Sequence, residues 1–148
     1  MFGSIVVGTD GSETAATAVD EAVALAKALG AKLEIVSAYE PVAAERLREE
    51  RSQVPGDLQW MVSAREDVDG TLRAAAAVAA DAGVQTVAVH ARQGDPADAI
   101  LDVAEEQGSD LIVVGNKGMT GAKRFLLGSV PNKVSHHAPC SVLIVRTS

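Results

Sequence analysis

A glycine-rich segment followed by a serine is the strongest chemical signal in this 148-residue sequence. Gly115-Asn116-Lys117-Gly118 is followed, after nine residues, by Gly128-Ser129, which gives the pattern G-x2-G-x9-G-[ST] between a predicted strand and a predicted helix. Glycine allows positive φ and a close backbone approach to a ligand. The helix N-terminus adds unpaired N–H groups and a positive dipole end. With the Ser129 hydroxyl and the cations Lys117, Lys123 and Arg124, the pattern predicts an anion cradle, most naturally for phosphate groups.

A purely structural explanation of this segment remains open. The glycines could serve only as tight turns, and Ser129 could only cap its own helix. The pattern is not a Walker A loop, and no G-x-G-x-x-G follows the first predicted strand. The two standard nucleotide-binding fingerprints are therefore absent from the sequence.

A second polar segment, Gly8-Thr9-Asp10-Gly11-Ser12, follows the first predicted strand. A carboxylate beside phosphate groups suggests Mg²⁺ coordination or a contact with a ribose hydroxyl. The alternative for Asp10 is a local role in an Asx-turn or a helix cap. We therefore treat Asp10 both as a ligand contact and as a candidate magnesium ligand.

Five short apolar runs, rich in β-branched residues, alternate with helical stripes and predict strands: Ile5–Gly8, Leu33–Ala38, Val84–His90, Leu111–Val114 and Val142–Val145. Helix ends are also predicted. Ser12 caps the first helix and Gly30 ends it, Asp95-Pro96 opens the third and Gly108 ends it, and the last begins at Ser129. This alternation is typical of right-handed βαβ units. We predict one α/β domain over 1–148, in three layers, with a five-stranded parallel sheet and helices on both faces.

The polarity of the runs predicts the strand order 3-2-1-4-5. The first and fourth runs are continuously apolar, as in central strands, whereas Gln85 and Thr86 in the third fit an edge. Strands one and four are then neighbours at the topological switch point, where open α/β sheets bind ligands. Asp10 and Gly115 should therefore face one crevice. His90, at the end of the third run, could approach it as well.

The fifth run, Val142, Leu143, Ile144 and Val145, is apolar although the predicted order places it at a sheet edge. An exposed apolar edge favours aggregation, so it needs cover. Antiparallel pairing with the same strand of a second copy satisfies that need under two-fold symmetry. We predict a homodimer through this strand, independent of nucleotide.

Composition excludes several classes of protein. The net charge of -7 argues against a general nucleic-acid surface. No apolar run approaches about 18 residues, which argues against a membrane span. Cys140 is the one cysteine, so no internal disulfide can form and a reducing compartment is favoured. We expect a cytoplasmic protein.

Together these residues resemble the universal stress protein family, in its ATP-binding branch. The Gly-Thr-Asp-Gly-Ser element after the first strand, the stretch 94–118 and the stretch 128–145 carry the likeness, which spans nearly the whole chain. The resemblance implies ribose or phosphate contacts at Gly115, Gly118, Gly128 and Ser129, first-strand contacts at Thr9 and Asp10, and a backbone contact of Ala38 with adenine. Asn116, Lys117 and Val130 belong to the same predicted ligand-binding set. Pro131 and Asn132 depart from the family's usual Ala and acidic residue.

The resemblance implies an ATP-binding stress-response protein, with ATP as a regulatory or slowly hydrolysed ligand. For Asp10, the residues leave open a Mg²⁺ ion or a contact with the ribose. A genuine ATPase or phosphotransferase is the alternative from the enzyme class, and it would need a base or water-positioning group besides Asp10. A cyclic-nucleotide binder using the same crevice is a further alternative.

Overall fold

The computed structural model describes residues 1–39, 56–116 and 128–147. Five strands and four helices alternate along these residues: β1 (Ser4–Gly8), α1 (Glu13–Leu29), β2 (Lys32–Tyr39), α2 (Gly56–Ala82), β3 (Val87–Gln93), α3 (Pro96–Gln107), β4 (Leu111–Gly115), α4 (Ser129–His137) and β5 (Ser141–Val145). None of the helices described is long and apolar enough to cross a membrane.

The strands form one parallel sheet in the order β3-β2-β1-β4-β5, as predicted. β1 pairs with β2 on one side and with β4 on the other, so Ile5 aligns with both Leu33 and Leu111. The carboxyl ends of β1 and β4 are therefore adjacent, and the connections that leave them run to different faces of the sheet. This is the predicted switch point.

Each face of the sheet has its own apolar core because successive strand residues point to opposite sides. On one face, Ile5, Val7 and Val113 are fully buried beneath α1 and α2. On the other, the neighbours Val6 and Ile112 are fully buried beneath α3 and α4. The predicted three layers, with helices on both faces, are confirmed.

Local chemistry sets the helix ends that position the switch point. The Ser12 hydroxyl accepts a hydrogen bond from the Ala15 N–H at 3.2 Å, and Gly30 ends α1 with a φ of 64°. The Asp95 carboxylate caps α3 by accepting from the Asp98 N–H at 3.0 Å, and Gly108 ends that helix with a φ of 63°. The predicted limits of both helices are confirmed.

The third strand lies later in the chain than predicted. β3 begins at Val87, because Val84 still belongs to the end of α2 through the bond from its N–H to the Ala79 carbonyl at 3.1 Å. His90 therefore lies in mid-strand. Its Nε2 is 2.7 Å from Oε2 of the buried Glu34 on β2, so the suggestion that His90 ends a strand at the crevice was wrong.

The apolar strand β5 forms one edge of the sheet, as predicted. Val142 and Ile144 pack against the core beneath α3 and α4, and Val145 packs against the opposite core. Leu143 is 38% exposed, one of the large apolar side chains that the described surface leaves open to solvent. The edge is thus half-covered by its own chain rather than fully buried.

Candidate functional site

A cleft opens at the carboxyl ends of β1 and β4. Its walls come from β1 and the loop after it, α1, β2, α3, β4, α4 and the residues after β5: Gly8, Thr9, Asp10, Ser12, Thr14, Ala15, Val36, Ala38, Pro96, Ile100, Val114, Gly115, Val130, Pro131 and Thr147. The structure therefore brings five of the predicted site residues together, namely Thr9, Asp10, Ala38, Gly115 and Val130.

The loop after β1 holds Asp10 in a defined position. Its Oδ1 accepts from the Ser12 N–H at 2.9 Å, which is the Asx-turn considered from the sequence. Thr9 is buried, and its hydroxyl accepts from the N–H of Gly11, whose φ is 83°. Across the residues described, Asp10 Oδ2 has no hydrogen-bond partner, so one carboxylate oxygen remains for a ligand.

Three helices bring their N-terminal turns to this cleft: α1 through Thr14 and Ala15, α3 through Pro96, and α4 through Val130 and Pro131. Each N-terminus carries partial positive charge and unpaired N–H groups. The combination favours an anionic ligand.

The start of α4 is open in a way that the other two starts are not. Its N-cap residue is Gly128, and no side chain caps the helix, whereas α1 and α3 are capped by Ser12 and Asp95. Ser129 is the first helical residue and exposed, so it is not the cap of its own helix. Among the described residues nothing accepts from the N–H groups of Ser129 and Val130, which leaves them for another acceptor.

Lys133 joins two of these helix starts. Its Nζ lies 2.8 Å from Asp98 Oδ1 and 3.4 Å from Asp95 Oδ2, across the gap between α4 and α3. The hydrogen bond to Asp98 raises the pKa of Lys133, with Asp95 adding to the effect. All three side chains are exposed, so these ion pairs add little to stability.

The glycines of the cleft act through their missing side chains. Positive φ was expected at the G-x2-G-x9-G positions, but Gly128 has a φ of -62° and Gly115 is not among the glycines of positive φ. A Cβ at Gly115 would lie 3.2 Å from Thr147 Cγ2, and one at Gly8 would lie 2.5 Å from Ile100 Cδ1. For the two positions of the pattern that the structure describes, conformational freedom was therefore the wrong reason.

Asn116 does not line the cleft, and Thr147 stands there in its place. The Asn116 side-chain oxygen accepts from both the N–H and the hydroxyl of Thr147, each at 2.9 Å. Sequence reasoning missed Thr147. In a parallel sheet, however, a polar residue just after the fifth strand lies at the same end of the sheet as Asp10, the end where the strands terminate. Lys117, Gly118, Lys123 and Arg124 lie outside the described residues.

The cleft has little capacity to hold a metal ion without help from a ligand. In the described parts of the chain, no three His, Cys, Asp or Glu side chains come together in a way that could hold a metal. Mg²⁺ is commonly bound by one or two carboxylates together with substrate phosphates and water. Asp10, with one unpaired oxygen, fits that arrangement only if phosphate oxygens complete it.

The enclosed part of the cleft measures about 50 Å³. Drug-sized ligands fill pockets of about 300–1,000 Å³, so a ligand of nucleotide size would extend across the open side. A larger cavity of about 420 Å³ lies between α1 and α2 and shares Thr9 and Ser12 with the cleft. It borders the same loop after β1, and of the described helix starts only that of α1 lines it.

Comparison with known proteins gives a consistent result. The universal stress protein family profile matches residues 1–146. The chain is 40% identical to universal stress protein Rv1636 of Mycobacterium tuberculosis, covering 99% of this chain and 98% of that one. It is 40% identical to universal stress protein YxiE of Bacillus subtilis, covering 99% and 100%. A solved universal stress protein in complex with cAMP superposes with a TM-score of 0.73 at 37% identity, covering 99% and 98%. The chain belongs to the universal stress protein family.

Proposed function

We propose that this protein binds an adenine nucleotide in the cleft between β1 and β4, with ATP as a regulatory ligand in a stress response. The observation that carries the proposal is the convergence of three helix N-termini on one cleft, with that of α4 lacking a side-chain cap. Phosphate binds well at such a place, because the N–H groups and the dipole act together.

The proposed orientation follows from the chemistry along the cleft. Adenine lies beside the Ala38 backbone, where Val36 and Ile100 supply apolar walls. The phosphates lie at the start of α4, against the N–H groups of Ser129 and Val130, with Gly128, Lys117 and Gly118 completing the predicted cradle. Thr9 supports the loop that carries Asp10.

Binding and regulation are favoured over fast phosphate transfer. Asp10 is the one ionisable side chain among the described residues that line the cleft. Phosphoryl transfer to water needs a group that orients or deprotonates the nucleophile, besides groups that stabilise charge. With one oxygen in the turn, Asp10 is suited to hold a ribose hydroxyl or, through phosphate oxygens, Mg²⁺. We propose at most slow hydrolysis.

A cyclic nucleotide is the second candidate. The observation that favours it is the complex of a 37% identical relative with cAMP. cAMP carries a single phosphate, which reduces the need for a magnesium ion.

The test is to identify and measure the ligand directly. Protein purified without added nucleotide is denatured, and the released small molecules are identified by mass spectrometry. Nucleotide-free protein is then titrated by calorimetry with ATP, AMP and cAMP, and phosphate release from ATP is followed over hours. Preferred binding of ATP with slow release supports the proposal, and preferred binding of cAMP supports the second candidate. Failure of all three to bind would reject both.

A further inference from the structure

Thr147 occupies a cleft position that neither the glycine pattern nor the family resemblance assigns. We propose that Thr147 is a specificity-determining residue: its hydroxyl, oriented by Asn116, accepts a hydrogen bond from a ribose hydroxyl of the ligand. This inference deepens the proposed nucleotide binding and rests on it. It assigns a sugar subsite to the β5 side of the cleft.

The direction of the hydrogen bonds is fixed by chemistry. The backbone N–H of Thr147 can only donate, so the Asn116 atom that it meets at 2.9 Å is the carbonyl oxygen, Oδ1. The Thr147 hydroxyl lies 2.9 Å from that same oxygen and must donate its one hydrogen there. Its remaining lone pairs are what Thr147 Oγ1 can offer to the cleft, so toward a ligand it is an acceptor.

The backbone of Asn116 makes this orientation stiff. The Asn116 N–H donates to the Val145 carbonyl at the end of β5, and the Asn116 carbonyl accepts from the Gly128 N–H, both at 2.9 Å. Asn116 is therefore bonded to β5, to the start of α4 and to Thr147 at once. It acts as a positioning residue, which explains why a residue of the glycine pattern faces away from the cleft.

The distance between Thr147 and Ala38 across the sheet determines which part of a bound nucleotide could contact Thr147. Ala38 lies on β2 and Thr147 follows β5, and three strand spacings separate these strands, about 14 Å in total. A base placed at Ala38 therefore lies far from Thr147. The sugar or the phosphates must occupy the other end of the cleft.

The donor and acceptor pattern then favours the sugar. Phosphate oxygens accept hydrogen bonds and would face the Thr147 lone pairs without a hydrogen between them. Ribose hydroxyls can donate. Thr147 Oγ1 therefore matches a sugar hydroxyl, whereas the N–H groups of Ser129 and Val130 match a phosphate group.

The experiment compares ATP with 2′-deoxy-ATP and 3′-deoxy-ATP by calorimetry. The wild-type protein should bind ATP about fivefold or more tightly than at least one deoxy analogue, as expected for one lost hydrogen bond. Thr147→Val should weaken ATP binding to the level of that analogue and leave the analogue's own affinity unchanged. Thr147→Ser keeps the hydroxyl and should restore the preference.

Two further variants separate specificity from general damage. Thr17→Val removes a threonine hydroxyl that bonds to the Glu13 carbonyl outside the cleft, and should leave both the affinity and the preference unchanged. Asn116→Ala should reduce the preference for ATP over the deoxy analogue, because Thr147 loses its orientation. Melting curves confirm folding of each variant.

The outcomes distinguish this inference from the proposed function. If the wild-type protein binds no nucleotide, the proposed function fails and this inference fails with it. If ATP binds but both deoxy analogues bind equally well, or if Thr147→Val retains the full preference, nucleotide binding stands and the role of Thr147 is rejected.

Discussion

The two carboxylate oxygens of Asp10 have different surroundings. One oxygen accepts from the Ser12 N–H and fixes the turn, and the other has no partner in the described chain. Substitution by asparagine separates the two roles, because the amide oxygen can still accept from Ser12 while the negative charge is lost. Both roles considered from the sequence, turn residue and ligand contact, are therefore compatible in one side chain.

Asp10→Asn should weaken ATP binding by about 1 kcal/mol or more, the usual loss for a charge-assisted hydrogen bond, with little change in melting temperature. Calorimetry with and without EDTA tests the magnesium ion separately. If Asp10 holds Mg²⁺ together with phosphate oxygens, EDTA should weaken ATP binding by the wild-type protein more than ATP binding by the variant. If EDTA affects ATP binding equally in the two proteins, Asp10 does not hold Mg²⁺, and the contact with the sugar is its remaining role.

Gly115 borders the cleft without room for a side chain. Gly115→Val should reduce nucleotide affinity about tenfold or more, because even a Cβ there would lie 3.2 Å from Thr147 Cγ2 and the larger side chain would crowd the cleft. Gly70→Ala, in open space on α2, is the control and should bind normally. Unchanged affinity in a folded Gly115→Val protein would contradict the placement of the ligand.

Between elements, the Asp110 carboxylate helps to join the amino ends of β1 and β4. Asp110 accepts from the N–H groups of Gly3 and Ser4, at 3.0 and 3.1 Å, and these bonds lower the pKa of the Asp110 carboxyl. A pKa that is lower in the folded protein means stability that is fully present above the unfolded value, near 3.9. That stability is lost as the pH falls through the folded value.

Asp110→Ala should therefore lower the free energy of unfolding at pH 7 by about 1 kcal/mol, a modest figure because the carboxylate is partly exposed. The difference between variant and wild type should shrink as the pH falls below about 4. Urea unfolding at pH 7 and at pH 3 measures it. A difference that stays constant over this range would mean that the charge of Asp110 contributes nothing.

The ends of helices could be predicted from the sequence where the residues that form them are close together in the chain. Ser12 bonds three residues ahead of itself, and so does Asp95, and both helix starts were correct. The start of β3 was wrong because Val84 is apolar like a strand residue but hydrogen-bonds back to Ala79. Thr147 was missed because its partner, Asn116, is 31 residues away and no spacing rule links them. The role of the predicted residues as nucleotide contacts stays a prediction.

Considered as one body, the chain leaves its two sheet edges unequally covered. Leu143 on β5 is 38% exposed and Val89 on β3 is 44% exposed, and within the described residues neither edge strand pairs with a further strand on its outer side. β5 is the more apolar strand, SVLIV, whereas β3 carries His90, Arg92 and Gln93. Polar edges resist pairing with another chain, so β5 is the favoured interface.

We predict a homodimer formed by antiparallel pairing of β5 with its copy. Leu143→Lys should give monomers, because two lysines would meet near the two-fold axis. The buried side of β5 is untouched, so the variant should stay folded. Val89→Lys, at the opposite edge, is the matched control and should leave the dimer intact. Light scattering at micromolar concentration decides, and a monomeric wild-type protein would refute the interface.

The walls of the cleft span positions 8 to 147, which gives it a consequence for biosynthesis. During translation, β1 and its loop emerge early, but the cleft lacks a wall until β5 has paired with β4 and Thr147 has reached Asn116. A ligand bound there therefore recognises chains in which β5 is already paired with β4. At a ligand concentration a hundred times Kd, it would add about 2.7 kcal/mol to the stability of the finished chain. The supply of that ligand would then help determine how long a molecule with an assembled cleft survives proteolysis.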